Sequence, residues 1–343
     1  MPRESSTSFD VARRAGVSQS AVSRVFTPGG SASKATAEKV RQAAKELGYR
    51  PNSLARAMVS GKSRIIGVVV AYLQNQFYPE ALEKLSARLQ AEGYHVLVFL
   101  AANTRGEIDE VIDEILDYQV DGIIAASVSL SSELSERCAA VGVPTVLFNR
   151  SQHSDNMVSV TSDNIAGGRK AAEFLIAAGH ERIGYIAGWE GASTQRDREA
   201  GFVAALADAG MQIYARGVGN FQSETARQAA LQMFASEDRP DAVFVANDHM
   251  AFSVMDTLRY DLNLRIPEDV SVIGYDDVPA AQWRAYNLTT VRQPADRMVN
   301  RTVETLLAQI NGDPVSARNI TIDGPLICRG SARLPREWND EGV

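Results

Sequence analysis

Six short stretches of the 343-residue chain carry side chains that together could hold a small polar molecule. They are Phe77-Tyr78, Phe148-Asn149-Arg150, Arg196 with Arg198, Phe221, Asn247-Asp248 and Tyr275-Asp276-Asp277. Aromatic faces stack on sugar-like rings, while Asp, Asn and Arg chelate neighbouring hydroxyls. Each stretch also has a plainer reading on its own: Asp276 and Asp277 could cap a helix, Asn247-Asp248 could form a turn, and Arg198 could pair with Glu199 on a solvated face. Catalytic patterns are missing. No Gly-x-Gly-x-x-Gly follows the first apolar run, and Gly61-Lys62-Ser63 lacks the earlier glycine of a phosphate loop. No Gly-x-Ser-x-Gly elbow occurs, and His95, His153, His180 and His249 are scattered without metal-ligand spacing. Neither an enzyme, a metal site nor a cofactor is expected.

The elements that must position these residues alternate. Ile65 to Ala71, His95 to Leu100, Gly122 to Ala126, Thr145 to Phe148, Ile183 to Ala187, Ala242 to Ala246 and Val270 to Gly274 read as buried strands. Between them Pro79 to Glu92, Glu107 to Gln119, Ala166 to Ala178, Asp197 to Ala209, Glu224 to Ala235 and Met250 to Tyr260 read as helices. Such alternation gives parallel sheets covered on both faces, with ligands at the carboxyl ends of the strands. The polar segment from Ser151 to Asn156 interrupts the pattern near its middle. A chain crossover there gives two sheets, two subdomains and a cleft, an architecture that a solute-binding protein of an importer would share.

The first sixty residues differ. The whole chain is acidic, with a net charge of −7, but residues 1 to 62 hold eleven Lys and Arg against four Asp and Glu, a net of +7. The remainder therefore carries −14, an asymmetry that points to a nucleic-acid-binding end. Asp10 to Ala15, a break at Gly16, and a second helix capped by Ser18 and running to Phe26 form a helix-turn-helix pattern. Val11, Val17, Val22 and Val25 supply its apolar contacts, while Gln19, Ser20, Ser23 and Arg24 face outward, where they can reach base edges and phosphates. Ser33 caps a third helix over Lys34 to Leu47, closed by Gly48. The segment from Pro51 to Gly61 reads as one or two helical turns with Leu54 and Met58 on one face, too short to be stable alone in water.

These residues carry a resemblance. Asp10-Val11-Ala12, Ala15-Gly16-Val17-Ser18, Val22-Ser23-Arg24-Val25, Ser33, Thr36, Leu47-Gly48-Tyr49, Pro51-Asn52 and Ala55-Arg56 resemble the headpiece of the lactose-repressor (LacI/GalR) family of transcription regulators. Ala246-Asn247-Asp248, Gly274-Tyr275-Asp276-Asp277, Leu288-Thr289-Thr290-Val291 and Ser193-Thr194 to Arg198 with Gly201 resemble the effector-binding domain of the same family. The fold this implies is an all-α helix-turn-helix headpiece with a hinge helix, joined to an α/β bilobal core of two doubly wound parallel sheets, like a periplasmic binding protein. The implied divisions are a headpiece at 1–50, a hinge helix and linker at 51–62, and an effector-binding and dimerisation core at 63–343. Within the core, one subdomain takes about 63–161 plus 293–320 and the other about 162–290 plus 321–335.

By the same resemblance, Gln19 and Ser20 set operator preference, with Ser18, Ser23, Arg24, Thr36, Asn52, Ala55 and Arg56 completing the DNA face. The apolar minor-groove wedge, usually leucine in the family, is Met58 here. Ala21 and Ala37 stand where Thr and Arg are commoner, which removes a phosphate contact. Arg198 would grip effector hydroxyls or a carboxylate, and Asp276 would accept from hydroxyl or amino groups. Asn149, Thr194 and Asn247 would add hydrogen bonds, and Phe77, Tyr78 and Phe221 would line the apolar walls. Asn149 stands where some members carry Asp. The implied function is repression from a palindromic operator by a homodimer, under control of a sugar or sugar derivative.

The remaining features concern compartment and assembly. No apolar run follows the polar first eight residues, so no export signal is expected, and apolar stretches of about seven residues are too short to cross a bilayer. Cys138 and Cys328 form neither a metal pattern nor a disulfide framework. A cytoplasmic protein without membrane contact follows. The tail after Arg333 contains Pro335 and no apolar heptad, which favours a dimer over a coiled-coil tetramer.

Overall fold

The computed structural model describes residues 6–26, 30–50, 62–101, 105–128, 132–152, 157–315 and 317–335. The chain divides after Ser63 into two compact units. The expected hinge helix, with Asn52, Ala55, Arg56 and Met58, lies outside the described residues.

The first unit holds α1 (Ser8–Ala15), α2 (Gln19–Phe26) and α3 (Lys34–Leu47). The first helix starts two residues before the expected Asp10, because Thr7 and Asp10 form a reciprocal capping box. Its end is set by Gly16 in the left-handed region at φ 67°, from which Val17 donates its amide back to Ala12 O at 3.0 Å. Ser18 Oγ accepts from Ala21 N at 3.2 Å and opens α2. Ser33 and Gly48 bound α3 in the same manner. Val11, Ala12, Val22, Val40, Ala43 and Ala44 make a buried core, edged by Val17, Val25, Phe26, Leu47 and Tyr49. Small residues at the contacts let three short helices, each marginal alone, stabilise one another.

The second unit is two six-stranded sheets. The first contains β1 (Ile65–Val70), β2 (His95–Leu100), β3 (Gly122–Ala126), β4 (Thr145–Phe148) and β5 (Val158–Ser162), with helices α4 (Phe77–Ala91), α5 (Arg105–Asp117) and α6 (Ser132–Ala140) between them. Its order is 2-1-3-4-5, all parallel, continued beyond β5 by β11 (Asn319–Ile322). The second sheet repeats the pattern. Its strands β6 (Ile183–Ala187), β7 (Ala215–Val218), β8 (Ala242–Val245), β9 (Ser271–Asp276) and β10 (Thr289–Arg292) have the order 7-6-8-9-10, closed by antiparallel β12 (Leu326–Ile327). Helices α7 (Asn164–Ala177), α8 (Ser193–Asp208), α9 (Ser223–Phe234) and α10 (Asp248–Asp256) belong to it, and α11 (Ala295–Asn311) returns to pack on the first sheet. The chain therefore passes between lobes at Asp163, at Gln293-Pro294 and between Ile322 and Leu326.

Near-continuous apolar strands such as Ile65–Val70 reflect burial on both faces. One face of the first sheet packs on α4 and α11 through Leu85, Leu89, Val303 and Leu306, and the other on α5 through Ile112 and Ile115. The second lobe centres on Tyr185, Phe202 and Phe244, whose rings lie 5.1–5.5 Å apart, each contact adding about 1 kcal/mol beyond burial. No helix among the described residues is long and apolar enough to cross a membrane.

Several elements extend the sequence reading. Helix α8 begins at Ser193, not Asp197, so Arg196 and Arg198 sit on a helix and face different ways. Strand β7 is a half-exposed edge and shows no apolar run. Strand β10 is hidden in the sequence because Thr289 and Thr290 are buried through hydrogen bonds, to Arg329 O at 3.0 Å and Asp248 Oδ1 at 2.6 Å. Helix α10 ends in a π-helical turn over Thr257–Asp261.

Candidate functional site

On the first unit, Gln19, Ser20, Ser23 and Arg24 form one exposed face of α2, opposite buried Val22. Local bonds hold that face in shape. Gln19 Nε2 donates to Ser8 Oγ at 3.0 Å, the hydroxyls of Ser18 and Ser20 are 2.9 Å apart, and Arg24 Nε donates to Ser20 O at 3.3 Å. All are exposed and exchangeable, so donors and acceptors are available to base edges and phosphates. Thr36 lies in the first turn of α3, its hydroxyl 2.8 Å from Ser33 Oγ.

On the second unit, the carboxyl ends of both sheets face a narrow cleft lined by Tyr72, Asn75, Tyr78, Asn149, Arg150, Thr194, Arg198, Phe221, Asn247 and Asp276. Each residue follows a strand. Tyr72, Asn75 and Tyr78 come after β1, Asn149 and Arg150 after β4, Thr194 and Arg198 on α8 after β6, Phe221 after β7, Asn247 after β8, and Asp276 at the end of β9. Of the eight residues to which the resemblance gives an effector role, seven meet here. The eighth, Phe77, is buried with its ring stacked on Phe148 at 6.1 Å. It lines a neighbouring cavity of about 430 Å³ instead.

Helix α8 carries Thr194, Gln195 and Arg198 on its inner face, with Gly201 one turn further. A Cβ on Gly201 would lie 2.0 Å from Ile165 O, and one on Gly168 the same distance from Arg198 O. Helices α7 and α8 thus cross in direct backbone contact, which only glycine permits. This crossing seats Arg198, whose Nε donates to Asn164 Oδ1 at 2.9 Å and whose Nη1 donates to Ala246 O at 2.5 Å. Its guanidinium lies 3.6 Å from the Tyr275 ring centroid, a desolvated cation–π contact of about 2 kcal/mol. Its Nη2 is 3.6 Å from Asp276 Oδ1. Arg196, on the other side of the helix, is exposed and donates to Gly191 O at 2.9 Å.

Asp276 gathers donors from both lobes: Asn75 Nδ2 at 2.9 Å and Gln293 Nε2 at 2.6 Å, besides Arg198. Burial pushes its carboxyl above the usual range, opposed by Arg198 and by these hydrogen bonds. Behind it, fully buried Asp248 accepts from Thr290 Oγ1 and from Val278 N at 3.0 Å. Burial and then the Asp276 charge push Asp248 well upward. Asn247 caps α10 by accepting from Met250 N at 3.0 Å while lining the cleft; its capping and site readings coexist.

The opposite wall is built on Asn149 and Arg150. Asn149 Nδ2 donates to Tyr78 OH at 3.1 Å, and Arg150 Nη1 donates to Thr194 Oγ1 at 2.6 Å across the lobes. Asn149, Phe221 and Asp276 all have positive φ, 56°, 58° and 123°. For a phenylalanine this conformation is strained, at about 1–3 kcal/mol. Three such residues, after β4, after β7 and at the end of β9, lie around one cleft. Arg150 belongs to one of the six candidate stretches, although the resemblance implies no role for it. Asn75, which also accepts from Phe77 N at 3.1 Å and so starts α4, resembled an ordinary turn residue.

Comparison with known proteins agrees with both units. Residues 9–52 match the model described as bacterial regulatory proteins, lacI family, and residues 172–332 match a periplasmic binding protein-like domain. The HTH-type transcriptional repressor PurR of Vibrio vulnificus (strain CMCP6) is 33% identical over 94% of this chain and 98% of its own. The ribose operon repressor of Escherichia coli (strain K12) is 32% identical over 95% and 99%. Among solved structures, the Lac repressor dimer bound to operator and the anti-inducer ONPF superposes with a TM-score of 0.86 at 28% identity, covering 96% of this chain and 99% of that one. The transcriptional regulator CelR–cellobiose complex gives 0.72 at 29% identity, with 95% and 100% covered. The importer reading does not account for the amino-terminal match. The chain belongs to the lacI family of bacterial regulatory proteins.

Proposed function

We propose that the protein is a ligand-controlled transcriptional repressor that binds a palindromic operator as a homodimer. Two copies of the headpiece take adjacent half-sites, with α2 in the major groove and Gln19 and Ser20 at base edges. Ser18, Ser23, Arg24 and Thr36 hold phosphates, and Asn52, Ala55, Arg56 and Met58 complete the contact from the hinge. The repressor names of the relatives and the operator in the Lac repressor structure support this reading, which assigns the chain no catalysis.

The effector is a sugar or sugar derivative held by Tyr78, Asn149, Thr194, Arg198, Phe221, Asn247 and Asp276. One observation carries this reading: polar side chains from both lobes converge on one cleft and bond to one another across it, as Asn75 does with Asp276. Different ligand affinities in two lobe arrangements then shift operator affinity, typically by 1–3 kcal/mol of coupling. Selection from random duplexes with the full chain tests the DNA side. Enrichment of one palindrome is expected; no enrichment, or a site without two-fold symmetry, would contradict it.

A further inference from the structure

Arg150 is 4% exposed, yet among the described residues it faces no carboxylate within ion-pair distance. Its Nη1 donates to Asn149 O at 3.1 Å and to Thr194 Oγ1, and its Nη2 donates to Ser127 Oγ at 3.2 Å. All three acceptors are neutral. Its Nε has no hydrogen-bond partner, and neither has Oδ1 of the adjacent Asn149. Asp276, on which the Arg150 charge acts from beyond ion-pair distance, is engaged by Asn75, Gln293 and Arg198. Asp248, the other buried acid, is turned to Thr290 and Val278, and its surroundings favour the neutral form. The cleft thus holds two guanidinium groups against one carboxylate. A buried positive charge is strongly unfavourable unless an anion accompanies it. One wall asks for an acceptor at Arg150 Nε and a donor at Asn149 Oδ1.

We propose that the effector is a sugar acid, whose carboxylate pairs with Arg150 while a neighbouring hydroxyl donates to Asn149 Oδ1. The proposal rests on the cleft being the effector site and adds the charge of its ligand. Thr194, whose hydroxyl oxygen accepts from Arg150, can donate its O–H in a hydrogen bond to the same carboxylate. The aromatic faces of Tyr78 and Phe221 remain for the carbon skeleton; the Phe221 ring centroid is 6.0 Å from the Arg150 guanidinium. An arginine–carboxylate contact in such surroundings is charge-assisted, so an acid should outbind its neutral parent by roughly tenfold to a hundredfold.

Calorimetric titration of the full chain tests this with gluconate, galactonate, glucuronate and galacturonate, each against glucose or galactose, with ribose, ribose 5-phosphate and hypoxanthine alongside. At least one acid is expected to bind about tenfold or more tightly than its parent sugar. Asn149→Asp supplies the missing counter-charge in place and should erase that preference. Arg150→Gln should erase it too, and Arg150→Lys should keep part of it. A parent sugar or hypoxanthine that binds as well as any acid, a preference for the sugar phosphate over every carboxylate, no binding by any acid, or an acid preference that survives Asn149→Asp would each overturn the proposal. The effector reading fails separately. An acid that binds through Arg150 but leaves operator affinity unchanged would retain this inference and contradict control from the cleft, whereas a neutral sugar that alters operator affinity would do the reverse.

Discussion

Asn75 donates its side-chain amide to Asp276 at 2.9 Å and so ties the loop after β1 in one lobe to the end of β9 in the other. The pair is buried, and Asp276 is in turn bonded to Gln293, whose Oε1 accepts from Ser162 Oγ at 3.2 Å. Ser162 and Gln293 stand at two of the three crossings between lobes. A ligand bound at Asp276 therefore reaches the segments that join the lobes.

Removing that tie loosens the contact between the lobes at the cleft. Asn75→Ala is expected to lower ligand affinity by about fivefold to tenfold, the worth of one buried hydrogen bond to a charged acceptor. Titration of the variant with the ligand that binds wild type measures this, and unchanged affinity would show that the pair plays no part in ligand binding.

The crossing of α7 and α8 leaves no room for a side chain at Gly201. Gly201→Ala should cost about 1–3 kcal/mol of stability, because the obstacle is the Ile165 carbonyl and backbone yields less readily than a rotamer. It should also displace Arg198 and reduce ligand affinity. Urea unfolding with the same ligand titration reads both effects, and a stable variant of normal affinity would contradict the packing argument.

Gln19 and Ser20 are exposed on α2 with hydrogen bonds to other exposed groups only. Exchanging either should change which base is preferred at one position of each half-site, by about 1–3 kcal/mol. Affinities for a panel of single-base operator variants give the answer. Equal weakening on every operator would mark these residues as phosphate contacts.

Asp248 gives a pH signature of defined sign. Its carboxyl titrates above the usual range in the fold because it is buried beside Asp276, so between its unfolded and folded values the native state holds a proton that the unfolded chain lacks. Its contribution to stability is therefore present at low pH and is lost as pH rises through the folded value. Asp248→Asn cannot ionise. Urea unfolding of wild type and variant from about pH 4 to pH 8 should show the variant gaining ground on wild type as pH rises, and a constant difference would contradict the assignment.

The sequence displays what depends on periodicity. Apolar runs such as Ile65–Val70 and the Val11, Val22, Val40 pattern reveal the buried strands and the three-helix unit, because burial on both faces or one stripe writes itself into composition. Strand β10 stays hidden because its threonines are buried by bonding to Asp248 and Arg329, which no local pattern records. At the cleft, Asn149, Arg198 and Asp276 stand out by type and by resemblance. Asn75 and Arg150 acquire their significance only when the second lobe brings up Asp276 and Thr194, 201 and 44 residues away along the chain. Phe77 illustrates the converse: its type suits a binding wall, yet helix α4 turns it onto Phe148 in the core.

Control of DNA binding from the cleft is tested most directly by operator affinity, measured by fluorescence anisotropy on the selected palindrome with and without a cleft ligand, for wild type and Arg198→Ala. The expected result is a ligand-dependent change of about fivefold to 150-fold in wild type and none in Arg198→Ala. A ligand response of the same size in both proteins, or no response in wild type to a ligand that binds the cleft, would contradict the account.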